Sequence, residues 1–515
     1  MNPCIIDMCF YMGLHQAEIK IGGSDSLINM LLQQMNVYSK RGALHNKEDD
    51  IYTQMLQLGR KALQKYVDSL EEEPAESAIN AHNEALPYKK TVEKEYVSLF
   101  GPITIRRAYY WKNDCSCGTY PLDKELELPE GKFSYALQNM LLKLMVSSPY
   151  SEALDTIHRI FKVQIWPQAA QALLERAASY VNSFYKGIKS YPETEGPVIV
   201  VTMDCKGVPM VPEERSQGNV KPQKVRREKG DKRKGLRRDA VVTSHFTFEP
   251  EARTPGDLLK ALMHSHTPEE KLKYKEEKKA KRAEGRNPGR QPINKQVHAA
   301  MDGKENAFAR LADQVLLRNP SEDKKIIVLI DGASALKVRF QEEVKRRKWK
   351  GRIDAYILDI FHATEYLWEA GSALYGEKSP QRSVWVKEKL EDVLEGKVGY
   401  VIGALKQILT KEKRLLSKSA EKALHKVIVY FSNHKEMMNY KEYLAKGYPI
   451  GTGVIEGACG CLVKDRTDRS GMKWTHEGVQ AILNLRAVQQ NNDWDKYFSY
   501  YVDMETQKLY GSPTG

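Results

Sequence analysis

Two aspartates follow apolar runs of the kind that form buried strands. Asp204 ends the run "VIVVTMD", and Asp331 ends the run "IIVLID". In an open α/β sheet, the carboxyl ends of the strands bring side chains to one crevice, where ligands bind. Two carboxylates held close together repel unless a cation neutralises them, and Mg²⁺ prefers such oxygen ligands. The pair predicts a divalent-metal site, although a helix N-cap is an equally good interpretation of Asp331 alone.

A two-metal site needs a third acid, and Glu456 fits that need. It has no nearby acidic neighbour in "PIGTGVIEGACGCLVKDRTDRSGMKW", where residues 453–465 show helical periodicity. Gly453, Gly457 and Gly460 fall on the face beside it. Glycine inside a helix costs about 1 kcal/mol relative to alanine, so three glycines indicate a close approach to the backbone. Tight packing of the helix on a sheet is the alternative, and it does not exclude a metal.

A third strand-and-acid pattern adds a histidine. The stretch "RIDAYILDIFHATEYLW" places Asp359 after an apolar run and His362 one turn later. A hydrogen-bonded structural histidine is one interpretation of His362, and a functional residue is the other. Cys205 has no histidine or base nearby in the sequence, so we expect a buried small residue rather than a nucleophile.

The charge balance favours a polyanionic partner. Lys+Arg number 80 and Asp+Glu number 67, a net charge of +13, which suits nucleic acid. Two clusters are the expected DNA contacts, with a solvated charged face and a disordered tether as their respective alternatives. The first follows Glu456 and comprises Lys464, Arg466, Arg469, Lys473 and Trp474; the second lies in residues 217–240 and includes Arg226, Arg227, Arg237 and Arg238.

Cysteine usage and hydropathy indicate the cell interior. The seven cysteines do not form a disulfide-like pattern, and no apolar run approaches the roughly 20 residues of a membrane span. The N-terminal stretch lacks the basic region of a secretory signal. Cys115 and Cys117 lack the further ligands of a structural zinc. We therefore expect a cytoplasmic protein.

Periodicity along the chain predicts five regions. Helical periodicity covers residues 26–70, with a break near 40–50, and strands flank a Gly-Pro turn in 96–114. Helices resembling a helix-turn-helix lie within 134–184, "VPMV" is a separate strand, 266–296 is a helix with a flexible insertion, and the last helix leads into a short polar tail. The expected regions are 1–95 (helical), 96–190 (DNA-binding), 191–379 (catalytic core with a basic insertion at 215–300), 380–446 (helical insertion) and 447–515 (the Glu-bearing helix and tail).

These blocks together resemble a known enzyme family. "VTMDCKGV", "VLIDGASAL", "LDIFHATEYLWEA" and "YPIGTGVIEGACGCLVKDRTDRSGMKW" look like successive blocks of the DDE transposases of bacterial insertion sequences, of the ISKra type. The upstream "RRAYYWKNDCSCGTYPLDKELELP" and "RTPGDLLKAL" resemble that group's N-terminal and insertion blocks. The likeness spans roughly residues 96–490.

The resemblance implies an α/β, RNase H-like catalytic domain with a helical insertion, and a mainly helical N-terminal DNA-binding region. It implies a catalytic triad of Asp204, Asp331 and Glu456 holding two Mg²⁺ (or Mn²⁺) ions. It also implies that His362 lies near the active site and orients DNA or the scissile phosphate, and that the protein is associated with the bacterial nucleoid. The implied activity is cleavage and strand transfer at the inverted-repeat ends of an element and at target DNA, in a homodimer or larger synaptic complex. An RNase H-like nuclease or resolvase, or a domesticated DNA-binding protein that no longer cuts, are the alternatives.

Overall fold

The structure is a computed structural model that describes residues 42–71, 73–80, 82–113, 118–188, 195–211, 237–263, 272, 276, 279–280, 292–411, 416–469 and 471–511. Arg226, Arg227, Cys115 and Cys117 lie outside the described residues. The chain divides into two compact units. The first comprises the chain up to Leu137, Ile157–Val163 and the chain from Leu509; the second comprises Gln138–Thr156 and Gln164–Lys508.

The first unit combines a helix with a long hairpin. Its elements are α1 (Leu44–Asp68), β1 (Ser77–Ile79), β2 (Ala85–Ser98), β3 (Gly101–Tyr110) and α2 (Pro121–Glu125), with the strands in the order β1-β2-β3. Strands β2 and β3 are antiparallel and close at the Ser98–Gly101 pair, which confirms the predicted strands around the Gly-Pro turn. The predicted break near residues 40–50 is wrong from Leu44 onward, because the polar residues there form the exposed first turns of α1.

Four helices then follow along the chain: α3 (Tyr135–Ser147), α4 (Tyr150–Phe161), α5 (Pro167–Ser179) and α6 (Val181–Gly187). An extended connection over 162–166 separates α4 from α5. Pro167 occupies the first turn of α5, as predicted, because its missing N–H is one that a helix start leaves unpaired.

A mixed five-stranded sheet lies in the second unit. Its chain order is β4 (Val198–Pro209), β5 (Arg237–Phe248), α7 (Pro255–Met263), β6 (Ile293–Ala300), α8 (Lys304–Arg318), β7 (Lys325–Ile330), α9 (Ser334–Arg346) and β8 (Ile353–Leu358). The spatial order is β6-β5-β4-β7-β8. Strands β4, β7 and β8 are parallel, whereas β5 is antiparallel to both of its neighbours. Strand β7 and the first half of β4 read as continuous apolar runs because both faces of the sheet are buried there.

Two sequence-based assignments in this unit are wrong. The strand β4 does not end at Asp204 but continues to Pro209, so "VPMV" is not a separate strand. Residues 293–296 belong to β6 and not to a helix or flexible insertion. Both errors have the same cause: pairing with the long strand β5 extends these segments beyond what their own hydropathy indicates.

The predicted helical character of 380–446 is confirmed in the described part of that segment. After α10 (Ile360–Tyr375) the chain forms α11 (Pro380–Leu394), α12 (Val398–Lys411), α13 (Lys418–His434), a 3₁₀ turn (Lys435–Met437) and α14 (Tyr440–Ala445). These helices share one hydrophobic core with the sheet.

The Glu456 segment is helical, as predicted, but it is not a regular α-helix. Helix α15 (Gly453–Ala458) passes into a π-helical turn (Cys459–Lys464) and then α16 (Asp465–Thr467). Helix α17 (His476–Gln490) follows. The predicted polar tail is instead α18 (Trp494–Tyr510), whose buried Trp494, Tyr497 and Tyr501 make it part of the core. Among the described residues, no helix combines the length and apolarity needed to cross a membrane.

Candidate metal centre

The three parallel strands bring three aspartates to one level of the sheet. Thr202 pairs with Leu329, and Ile330 pairs with Leu358. Continuing this register places Asp204 beside Asp331, and Asp331 beside Asp359. The side chains of laterally paired residues share a face of the sheet. These aspartates therefore lie at the ends of neighbouring parallel strands or within them, and Asp204 and Asp331 are close enough to interact electrostatically.

Asp331 directly follows β7 and is half-buried. Its Oδ1 accepts a hydrogen bond from the backbone N–H of Ala333 at 2.9 Å. Burial raises the pKa of this carboxyl, and the negative charge of Asp204 raises it further, whereas the Ala333 bond and the nearby His362 lower it. A carboxylate whose ionised form is disfavoured by burial and by a second carboxylate gains most from a bound cation.

Asp204 is held by donors on both oxygens. Its Oδ1 accepts the backbone N–H of Cys205 at 2.6 Å, and its Oδ2 accepts the thiol of Cys459 at 3.2 Å. Cys459 is buried and lies three residues beyond Glu456, at the start of the π-helical turn. The Glu456 helix therefore packs on β4, beside the first aspartate. Burial also raises the pKa of the Cys205 thiol to about 11, which agrees with the view that it is no nucleophile.

Glu456 lies closest to the third strand end. One ligand atom each from Asp359, His362 and Glu456 lie within 4.8 Å of one another, a spacing that could hold a metal ion. Asp204 and Asp331 are not members of this group. Glu456 is exposed, and His362 in the first turn of α10 has its Nδ1 3.2 Å from Glu365 Oε2.

Thr452 joins Glu456 to Asp359. Asp359 is fully buried and caps α10 by accepting the N–H of Phe361 at 3.1 Å. Its other donors are the N–H of Thr452 at 3.2 Å and the Thr452 hydroxyl at 2.5 Å. The same hydroxyl lies 3.4 Å from Glu456 Oε1. Asp359 therefore fixes the start of the Glu456 helix as well as facing the candidate metal position.

The donor chemistry of the site fits a divalent cation. Carboxylate oxygens suit Mg²⁺ and Mn²⁺, and an imidazole nitrogen adds affinity for transition metals. Asp359 already accepts three hydrogen bonds, which leaves Glu456, His362, Asp204 and Asp331 with the greater capacity to bind an ion. The glycines beside Glu456 are open: a Cβ built on Gly453, Gly457 or Gly460 meets no described atom within 4 Å. Close packing on the sheet therefore does not account for them.

The basic residues after Glu456 divide into exposed and buried ones. Lys464 and Lys473 are exposed. Arg469 is exposed too, donates to Asp465 O at 2.9 Å and Ser147 O at 3.2 Å, and lies 3.8 Å from Glu152. In β5, Arg237 is paired with Asp468 and Arg238 is half-buried.

Arg466 and Trp474 are buried, and this overturns their predicted place on the DNA surface. Arg466 is 1% exposed, and its guanidinium lies 4.8 Å from the Trp474 ring and 5.4 Å from the Tyr150 ring. It donates to Met145 O at 3.1 Å. Burial lowers the pKa of Arg466 to about 10. Both side chains belong to the core, where the cation–π stack and the backbone bond replace water around the guanidinium.

Asp359, Thr452 and Cys459 were not predicted as site residues from the sequence. Asp359 carried a usable signal, since it repeats the strand-end pattern of Asp204 and Asp331. Thr452 and Cys459 carried none, because their partners lie 93 and 255 residues away. No protein-family model matches this chain, and no curated protein matches it.

Proposed function

We propose that this chain is a DNA transposase that binds the inverted-repeat ends of an insertion sequence and catalyses Mg²⁺-dependent strand cleavage and strand transfer. The observation that carries the proposal is the alignment of Asp204 and Asp331 on neighbouring parallel strands, with the Glu456 helix bonded to Asp204 through Cys459. The three acids thus lie on, or directly after, a connected set of elements: α15 packs on β4, and β4 pairs with β7.

The sheet supports an RNase H-like assignment. That fold is expected to have three antiparallel strands followed by two parallel ones added beside the first. Here the chain order β4-β5-β6 is antiparallel, and β7 and β8 add in parallel beside β4. The helical insertion of 380–446 then separates β8 from the Glu456 helix, as the resemblance implies.

Asp204, Asp331 and Glu456 are the proposed ligands of two Mg²⁺ or Mn²⁺ ions. When bound, such a pair of ions supplies charge neutralisation at the phosphate and activation of water or a DNA 3′-hydroxyl. The chain's own contribution is position. Cys205 N–H and the Cys459 thiol orient Asp204, Ala333 N–H orients Asp331, and Thr452 orients the start of the Glu456 helix.

His362 is proposed to orient the scissile phosphate. It lies within the 4.8 Å group that contains Glu456, and its own Nδ1 is fixed against Glu365. Because only one side of the ring contacts Glu365, the geometry suits a residue that holds a phosphate oxygen or completes a metal ligand set. The partial exposure of the His362 side chain disfavours the alternative of a buried structural histidine.

Double-stranded DNA is the proposed partner, with contacts from Lys464, Arg469 and Lys473 beside the site. Arg237 and Arg238 extend this basic edge on β5, although Arg237 has to leave Asp468 to bind a phosphate. The proposed assembly is a homodimer or larger complex that joins two element ends. Its proposed location is the cytoplasm, at the nucleoid.

The proposal is tested with the DNA that flanks this reading frame, supplied as labelled duplexes with Mg²⁺. Wild type is expected to cut at the element end, and Asp204→Asn, Asp331→Asn and Glu456→Gln each to lose cutting by at least about a hundredfold, as loss of charge stabilisation does in other active sites. Glu477→Gln, an exposed acid in the first turn of α17, is the matched control and should cut normally.

Two results would count against the proposal in different ways. Unchanged cutting by all three variants would remove these acids from the reaction. Binding of the ends by wild type without cutting under Mg²⁺ or Mn²⁺ would favour the DNA-binding protein that no longer cleaves.

A further inference from the structure

The backbone that follows β7 is held by a helix of the insertion. The Tyr430 hydroxyl, on α13, donates to the carbonyl oxygen of Asp331 at 2.9 Å. One turn further along α13, Nε2 of His434 lies 3.0 Å from the carbonyl oxygen of Gly332. Two consecutive carbonyls of the loop therefore meet two side chains from the same helix, about a hundred residues away in the sequence.

Tyr430 is itself rigidly placed. Its ring stacks on that of Tyr366 in α10, with centroids 3.7 Å apart and planes within 9°. His434 packs at 4.4 Å from the Tyr430 ring, and its Nδ1 lies 2.7 Å from the Tyr430 carbonyl oxygen. Burial raises the pKa of Tyr430, and nearby acidic groups including Asp331 raise it further, so the phenol keeps its proton.

The contact between Tyr430 and the loop after β7 is close at Gly332. Its φ of +95° is one that L side chains rarely adopt, and a Cβ there would lie 2.6 Å from the Tyr430 hydroxyl oxygen and 3.0 Å from Leu358 Cδ1. The loop accepts Tyr430 only because residue 332 has no side chain. The next residue, Ala333, donates its N–H to the Asp331 carboxylate at 2.9 Å.

We infer that Tyr430 and His434 are positioning residues for Asp331, so that the helical insertion sets the geometry of the catalytic carboxylate. Tyr430 and His434 fix the Asp331 and Gly332 carbonyls, and the fixed peptide holds the Ala333 N–H against Asp331 Oδ1. A shift of α13 would move this peptide and the carboxylate with it. The inference rests on the proposed function for the role of Asp331, but the contacts themselves do not depend on it.

The decisive variant is Tyr430→Phe in the full chain. It keeps the ring and the stack on Tyr366 and removes only the donor. Tyr366→Phe is the matched control, because it also removes one phenol hydroxyl from the same stacked pair while leaving the Tyr430 bond intact. His434→Gln is a second variant that tests the Gly332 contact if Tyr430→Phe is poorly folded.

The first readout is amide hydrogen exchange of the peptide that covers residues 331–333. Tyr430→Phe is expected to speed exchange there about two- to twelvefold, the effect of one lost hydrogen bond, and Tyr366→Phe to leave it unchanged. The second readout is Mn²⁺ binding, which is measured from the electron paramagnetic resonance signal of the free ion. We expect Tyr430→Phe to weaken Mn²⁺ binding by a similar factor and to slow DNA cutting at fixed low Mg²⁺, with recovery at high Mg²⁺.

The inference is overturned if exchange at 331–333 matches that of the control, or if exchange rises while Mn²⁺ binding stays unchanged. In the second case the loop is held by Tyr430 but the carboxylate is not. A wild type that binds Mn²⁺ but cuts no DNA would sink the proposed function alone. A wild type that binds no Mn²⁺ would sink both.

Discussion

Replacing Gly457 by alanine is expected to stabilise the protein and impair its reaction with DNA. Gly457 lies in α15 next to Glu456, is exposed, and has no described atom within 4 Å of the position that a Cβ would take. Alanine in a helix is favoured over glycine by about 1 kcal/mol, so the free energy of unfolding should rise by roughly that amount. Nothing in the described structure opposes this gain.

The opposite effect is expected with DNA bound. If the glycine face is open because the phosphate backbone approaches it at the metal centre, an added methyl group must be accommodated in the complex. Overpacking by one methyl group costs about 1–3 kcal/mol, which corresponds to a loss of roughly five- to 150-fold in DNA affinity or cleavage efficiency. The larger value applies if the complex cannot adjust around Glu456.

Gly403→Ala is the matched control. Gly403 is also an exposed helical glycine, in α12 of the insertion, and a Cβ there also meets open space. Urea unfolding should show a similar gain for both variants, and labelled element-end DNA should be cut normally by Gly403→Ala alone. If Gly457→Ala is more stable and still binds and cuts DNA as wild type does, the glycine face has no ligand and this reasoning fails.

Four further perturbations separate the roles of charge, packing, surface contacts and carboxylate positioning. Asp331→Asn should raise the free energy of unfolding at pH 7 in EDTA. Because the pKa of Asp331 is raised in the folded state, the wild type loses stability as pH rises from the unfolded pKa of about 3.9 through the folded pKa. The variant should show no such loss in denaturant titrations across pH. Arg466→Ala should lower the free energy of unfolding by about 3 kcal/mol, because a buried guanidinium loses its stack and backbone bond, and an unchanged unfolding midpoint would contradict its burial. Lys464→Ala and Lys473→Ala should each reduce the salt dependence of DNA binding by about one unit of the log–log slope without changing the unfolding midpoint, and an unchanged slope would remove them from the DNA surface. Cys459→Ala should slow cutting about fivefold by freeing Asp204 Oδ2, with Cys459→Ser retaining more activity because a hydroxyl can still donate, and equal rates for all three proteins would refute the positioning role of the thiol.

Local patterns predicted the elements whose own residues determine them. The apolar run before Asp331 gave the strand and its end, and the Gly-Pro turn gave the hairpin of β2 and β3. The helices of 380–446 were likewise evident from periodicity alone. In each case the apolar run or the periodicity of apolar residues lies within a short window of the sequence.

Elements that depend on distant partners were missed. Strand β6 begins in a polar segment and becomes a strand because β5 lies beside it, and β4 extends past Asp204 for the same reason. The segment of helix α18 was predicted to be a polar tail because it contains several tyrosines. In the structure, buried tyrosine hydroxyls form hydrogen bonds, such as that of Tyr501 to Gln138.

The site shows the same division. The type and strand-end position of Asp331 and the unusual setting of Glu456 were visible in the sequence. Arg466 and Trp474 were misplaced because an arginine near an acidic site resembles a phosphate ligand, whereas here its partners are a tryptophan, a tyrosine and a backbone carbonyl. Burial of a charge behind aromatic rings is a tertiary property that local composition does not contain.

The central claim is that Asp204, Asp331 and Glu456 act together as a metal-binding catalytic set. The most direct measurement is cleavage of the flanking element-end DNA by wild type and by Asp204→Asn, Asp331→Asn and Glu456→Gln over a Mg²⁺ titration. Wild type is expected to cut in a Mg²⁺-dependent manner, and each of the three variants is expected to lose cutting while retaining DNA binding. Cutting by any of the three at the wild-type rate and Mg²⁺ dependence would contradict the central claim.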